Sequence, residues 1–181
     1  KDKKDFKKIR DYFIDQQNSL ASLNHALVND GIFLEIEDDY LFNKPLIIYN
    51  FFNKFSENKI INNKYFIFLG KNSKLSLLEY HKAEKNIKYF NNTIHCYSIR
   101  KNSILKKFSI DNNLDNSYNY HLTNIKSYTN SIFENFLFSS GSSFIKNEIH
   151  CDLLESFGSC FVNAMIFLNK QQHHELKTNV N

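Results

Sequence analysis

The spacing of apolar residues changes near residue 31, and with it the element the chain predicts. Upstream, Phe6, Ile9 and Phe13 recur at i, i+3 and i+7, as do Leu20, Leu23 and Leu27, which is the spacing of one helix face. Asn18 or Ser19 can cap the second of these segments and Gly31 can stop it. Residues 1–31 therefore read as an N-terminal helical segment that covers one end of a stack of strands. Downstream the period is two. Ile32, Leu34 and Ile36 alternate with Phe33 and Glu35, and Asp38-Asp39 marks a turn. Pro45, without an N–H, suits the start of a second run, Leu46-Ile47-Ile48-Tyr49. Residues 53–64 are polar and read as loop.

From about Tyr65 to Leu168 the pattern repeats. Short units recur at Asn72-Ser73-Lys74-Leu75, Asn102-Ser103-Ile104-Leu105, Asn130-Ser131-Ile132-Phe133 and Gly158-Ser159-Cys160-Phe161. With the serines as register marks, the intervals are 30 (73 to 103), 28 (103 to 131) and 28 (131 to 159). A period of that length signals a stacked architecture whose repeats complete one another. Asn and Gly tolerate the left-handed backbone of a sharp corner. After each serine come three apolar columns: Leu75, Leu105, Phe133, Phe161; Leu78, Phe108, Phe136, Ala164; and Tyr80, Ile110, Phe138, Ile166. A mostly polar column of Ser76, Lys106, Glu134 and Val162 lies between them. Near-alternation with one slip suggests a bulged strand, with the three columns as internal ladders of rungs about 4.8 Å apart. Segments 82–92 and 111–117 are assigned outside the stack. The predicted class is mainly β: a right-handed parallel β-helix with short N-terminal helices, its core running over residues 32–181.

Composition adds little. Four Gly, one Pro, 18 Phe and 10 Tyr suit strands, and a net charge of +4 spread over scattered lysines argues against a nucleic-acid face. No apolar run approaches membrane-spanning length, and no charged start leads into a hydrophobic segment with a cleavage site. Cys96, Cys151 and Cys160 follow no metal-ligand spacing. Ile94-His95-Cys96 and Ile149-His150-Cys151 invite a metal site, but adjacent strand residues face opposite ways, and the two units lie roughly two rungs, 9 to 10 Å, apart. The cysteines are therefore expected reduced, without a disulfide.

His81, His121, His173 and His174 are the candidate acids or ligands, yet no nucleophile–base–orienter set accompanies them. The serines around Gly141 lack the G-x-S-x-G spacing, and His173-His174-Glu175 lacks the paired histidines of a helical zinc protease. A surface or interface role is expected for these histidines. The residues indicate no catalytic constellation, no metal ligand and no identifiable cofactor-binding residue.

Several segments in order resemble the SufB/SufD family of iron–sulfur cluster assembly proteins, over about residues 20–181. Leu23-Asn24-His25-Ala26-Leu27 followed by Asp30-Gly31-Ile32-Phe33-Leu34-Glu35-Ile36 is similar to its "LN-x-A" helix and "DG" strand. Lys44-Pro45-Leu46-Ile47 is similar to its "KP" strand, and the Asn-Ser corners to its Asn/Gly-Ala corners. Gln172-His173, Glu175 and Thr178 resemble "QH-x-D-x-x-T". The SufD branch is the closer: SufB-type chains carry a cysteine-containing "EGC" where Glu79-Tyr80-His81 stands, and the SufD-type "GG-x-x-x-R-N-E" is answered by Gly141 and Lys146-Asn147-Glu148, with one glycine lost and Lys for Arg.

The resemblance implies a non-ATPase scaffold that pairs with SufB and, with the SufC ATPase, supports a nascent iron–sulfur cluster on the full complex. It implies no cofactor held by this chain alone, and a cytoplasmic setting or a plastid-type organelle. The family's cluster and SufC-docking residues lie in a C-terminal part beyond Asn181, so none is carried onto this sequence. A SufB paralogue is the first alternative. A carbohydrate-active or adhesive β-helix is the second, but it would call for clustered carboxylates and an export signal. The next corner would fall near position 187, so the stack is expected to be incomplete at Asn181, with an open rung that invites self-association.

Overall fold

The computed structural model describes residues 18–113 and 116–181. The segment containing Phe6, Ile9 and Phe13 lies outside these residues. The second predicted helix is present as α1 (Ser19–Leu27), and the side chain of Asn18 caps it by accepting from the Ala21 N–H. Gly31 does not end it, because the helix stops at Leu27 and Gly31 already sits in a strand. What requires glycine there is close packing: a Cβ on Gly31 would lie 2.1 Å from the Lys64 carbonyl oxygen.

Eleven strands follow: β1 (Asp30–Ile36), β2 (Leu46–Phe52), β3 (Ile60–Leu69), β4 (Lys74–Ala83), β5 (Tyr89–Ile99), β6 (Ile104–Asn113), β7 (Ser117–Ser127), β8 (Ile132–Gly141), β9 (Phe144–Leu153), β10 (Ser159–Phe167) and β11 (His173–Val180). Odd-numbered strands form one parallel sheet in the order β1-β3-β5-β7-β9-β11, and even-numbered strands a second, β10-β8-β6-β4-β2. Each pair of consecutive strands thus makes one turn of a flattened solenoid, and the chain climbs about five turns. The loop expected over 53–64 is only a short 3-10 turn (Lys54–Ser56), since β3 begins at Ile60. Of segments 82–92 and 111–117, the ends belong to the stack: β4 runs to Ala83, β5 starts at Tyr89, and β6 and β7 reach Asn113 and Ser117.

Three of the four expected corners are where the sequence placed them. Asn72, Asn102 and Asn130 have φ of 55°, 59° and 53°. A second series of left-handed residues, including Asn58 (57°), Asn86 (63°) and Asn116 (89°), makes the opposite corners. In the last turn the left-handed residue is Phe157 (63°), one position before Gly158.

That offset corrects the expected ladder. Leu75, Leu105 and Phe133 pair in register and are fully buried, but the next rung opposite Phe133 is Cys160. Phe161 pairs with Glu134 and is 52% exposed. On β4, β6 and β8 the other two apolar columns also change sides, whereas Ala164 and Ile166 on β10 pair with the inward Leu137 and Ser139. Strict alternation from Leu75 points Leu77, Glu79, His81 and Ala83 inward. Leu78, Phe108 and Phe136, with Tyr80, Ile110 and Phe138, therefore line the outer face of the even-numbered sheet, where the Phe108 and Phe136 rings stack at 4.8 Å. No bulge is needed. The polar column Ser76, Lys106, Glu134 shares that outer face, with a Lys106–Glu134 ion pair of 2.6 Å.

The helix α1 covers not an end of the stack, as expected, but the outer face of the odd-numbered sheet over β3, β5 and β7. Ala21 and Leu20 pack on Ile94, Cys96, Tyr120 and Leu122. Asn24, fully buried, donates its amide to the carbonyls of Asn63 and Asn92 on adjacent rungs. No helix among the described residues is long and apolar enough to cross a membrane.

Candidate functional site

The solenoid interior has two halves. Beside the Asn72–Asn102–Asn130 corners it is apolar, built on Ile67, Leu69, Leu75, Tyr97, Leu105, Ile125 and Phe133. Toward the opposite corners it is filled with ionisable and amide side chains, all buried: Glu79, His81, Lys107 and Asp111 from the even-numbered sheet, His95 and His121 from the odd-numbered one. The strands put them there by alternation alone. His81 and Asp111 are register partners on β4 and β6, and His95 and His121 sit on β5 and β7 with side chains turned inward.

Glu79 is the hub. Its carboxylate lies 3.2 Å from His81 Nε2, 2.9 Å from His95 Nε2 and 3.0 Å from Lys107 Nζ, and it accepts from Asn50 Nδ2 at 3.2 Å. Burial alone would raise its pKa, but His95, Lys107 and His81 outweigh that and hold the carboxyl well below the usual range. Burial pushes the His95 imidazole down to about 4, against the pull of Glu79, so it is neutral at pH 7. Lys107 also lies over the Tyr97 ring, at 5.8 Å from its centroid.

Asp111 makes a second centre. His121 Nε2 lies 3.5 Å from its Oδ1 and His81 Nδ1 lies 3.9 Å from the same atom. Burial opposes ionisation of Asp111, yet His121 and His81 hold its carboxyl below the usual range. The His81 imidazole is raised despite burial, first by Asp111 and then by Glu79. Apart from these contacts with one another, His81 Nδ1, Asp111 Oδ1 and His121 Nε2 have no hydrogen-bond partner. They border a cavity of about 20 Å³ that Lys107, Thr123 and Asn147 also line.

Of the four histidines expected at a surface, His81 and His121 are thus buried and face one another, their rings 4.9 Å apart. The structure separates them from the other two. His173 stacks on Phe144 at 5.5 Å, and His174 Nδ1 bonds Ser139 Oγ at 2.9 Å. The cysteines are free. His95 points into the polar interior while Cys96 packs under α1, as adjacent strand residues must. Cys151 and Cys160 border the apolar half. Sequence reading missed Glu79, His95, Lys107 and Asp111. The available signal was the strict alternation 75-77-79-81, obscured by apolar residues on the outer face.

The family described as "SUF system FeS cluster assembly, SufBD core domain" matches residues 51–181, more than two-thirds of the chain. The chain belongs to the SufBD core family. No curated protein and no solved structure matches it. The parallel solenoid supplies physical reasons for the SufBD-like segments. In Lys146-Asn147-Glu148, Asn147 faces inward while Glu148 accepts from Tyr120 Oη at 2.8 Å and from the capping residue Asn18 at 3.0 Å. Lys146 Nζ lies 3.0 Å from Glu148 and 3.5 Å from Glu175, joining β9 to β11. These side chains seat α1 on the SufBD core and tie its last turn down.

Proposed function

We propose that the chain is the SufD-type, non-ATPase scaffold of an iron–sulfur cluster assembly complex, working with SufB and the SufC ATPase. The observation that carries this reading is the SufBD core match over residues 51–181 on a continuous parallel solenoid. The SufD branch is favoured over SufB by two features. His81 stands where SufB-type chains carry a cysteine, and the Lys146-Asn147-Glu148 segment answers a SufD-type motif. The role is that of a shaped surface and not of an enzyme, and the complex would act in the cytoplasm. The nascent cluster is cargo on the assembled complex.

Affinity-tagged chain co-expressed with SufB and SufC tests the reading. Recovery of a complex containing both supports the SufD role, and cluster assembly on it, followed by absorbance under anaerobic reconstitution, supports the scaffold role. Association with SufD in place of SufB would assign the chain to the SufB branch. Recovery of neither partner would overturn the proposal.

A further inference from the structure

The buried centre between β4, β6 and β7 has the donor set of a metal site. We propose that His81 Nδ1, Asp111 Oδ1 and His121 Nε2 bind one divalent transition-metal cation of the zinc type inside the solenoid.

Three observations lead there. First, one ligand atom from each of the three residues lies within 4.8 Å of the others, and His121 Nε2 and His81 Nδ1 stand 3.5 and 3.9 Å from Asp111 Oδ1. Ligands about 2.0–2.1 Å from a tetrahedral ion stand roughly 3.3 Å apart, so closing the site takes side-chain shifts of about 1 Å. Second, all three atoms are buried, and apart from their loose contacts with one another, 3.5 Å from His121 and 3.9 Å from His81 to Asp111, they have no hydrogen-bond partner. Buried polar atoms are seldom left so loosely paired, and one ion between the three would satisfy them together. A proton on His81 does not serve, because 3.9 Å is beyond hydrogen-bond length. Third, the adjoining cavity of about 20 Å³ has room for one water-sized species.

The surroundings suit a cation. His81 Nε2 lies 3.2 Å from Glu79, and an N–H donated to that carboxylate leaves Nδ1 bare for an ion. A carboxylate behind a ligating histidine is the usual support of such a site. Glu79 is paired with Lys107 at 3.0 Å, and Glu148, which also lines the cavity, with Lys146 at 3.0 Å, so Asp111 is the lining carboxylate whose ion-pair partners are the histidines. Two imidazoles and one carboxylate, with space for a single further ligand, fit four-coordinate zinc better than an octahedral ion. Sulfur takes no part, since Cys96 packs beneath α1 and Cys151 and Cys160 lie at the apolar half.

The inference does not rest on the assembly reading, and its test needs no partner protein. Because the ligands are enclosed, the ion enters as the turns close or through slow opening, so Zn²⁺ or Co²⁺ is supplied both to native chain and during refolding. After desalting, about one equivalent should remain per chain by either route. X-ray absorption at the zinc edge should show nitrogen and oxygen ligands near 2.0–2.1 Å with imidazole scattering and no sulfur. Asp111→Asn with His121→Gln, checked for folding by circular dichroism, should lower retention at least 10-fold, and His173→Gln should leave it unchanged. Three results would overturn the proposal: no retained ion by either route, a site with sulfur ligands, or undiminished binding in the folded double variant.

Discussion

Asn102 donates its side-chain amide to Asn72 Oδ1 at 2.9 Å, and both residues hold left-handed backbone. Asn130 does the same to Asn102 at 3.0 Å, so one amide ladder climbs the corner of the solenoid. Beneath it Ser73, Ser103 and Ser131 are buried, with Ser103 Oγ accepting from the Ser73 N–H and Ser131 Oγ bonding back to the Tyr128 carbonyl.

Replacing Asn102 therefore separates backbone from ladder. Asn102→Gly keeps the conformation but loses the exposed amide bonds, and its stability should stay within about 1 kcal/mol of wild type. Asn102→Val should cost more, about 1–3 kcal/mol, because a β-branched residue resists positive φ. Urea titration of both variants measures the difference.

Phe133 and Phe161 occupy equivalent places in the sequence repeat but opposite faces in space. Phe133 is fully buried, so Phe133→Ala should cost about 3–5 kcal/mol. Phe161 is 52% exposed, and Phe161→Ala should fall within about 0.5 kcal/mol of wild type. Equal losses in chemical denaturation would contradict the one-residue offset between β8 and β10.

This pair shows where sequence reading succeeds and where it stops. The corners were legible because left-handed backbone selects for Asn and Gly, whatever the strands carry. The facing of the strands was not. Leu78, Tyr80, Phe108 and Ile110 look like core, while Glu79, Lys107 and Asp111 look like surface, and the solenoid reverses both. A hydrophobic pattern reports burial only when one face is wetter than the other. The candidate site was hidden for the same reason, since its charges come from turns 28 to 30 residues apart and meet only when the rungs stack.

Glu148 should give the fold an acid-sensitive tether. Burial acts to raise its pKa, but hydrogen bonds from Tyr120 and Lys146 prevail and lower it. A carboxyl lowered in the folded state adds stability above its unfolded value of about 4.3, and that contribution disappears as pH falls through the folded value. Glu148→Gln should lose stability near pH 7 and show a flatter decline toward acid. Thermal melts from pH 3 to pH 7 would reveal a parallel decline if the tether were absent.

Thiol reactivity should rank the cysteines by position. Burial pushes Cys96 up to about 12, and it is wholly enclosed beneath α1. Cys160 is partly exposed, and a hydrogen bond from Cys151 lowers its pKa. Iodoacetamide on native protein should therefore modify Cys160 first and Cys96 only on unfolding, as read by peptide mass mapping.

The apolar outer face of the even-numbered sheet changes what keeps the strands in register. In an ordinary one-sided sheet, sliding a strand by one residue wets its whole core face, and that cost forbids the error. Here such a slide would exchange one apolar set for another, Leu78 and Tyr80 for Leu75 and Leu77, at little hydrophobic cost. What forbids it is the polar filling: a slipped β4 would turn Glu79 and His81 outward and leave Lys107 and Asp111 enclosed without them. Alongside the corner asparagines, the buried charges act as a key that admits one alignment of the turns and rejects its nearest neighbour.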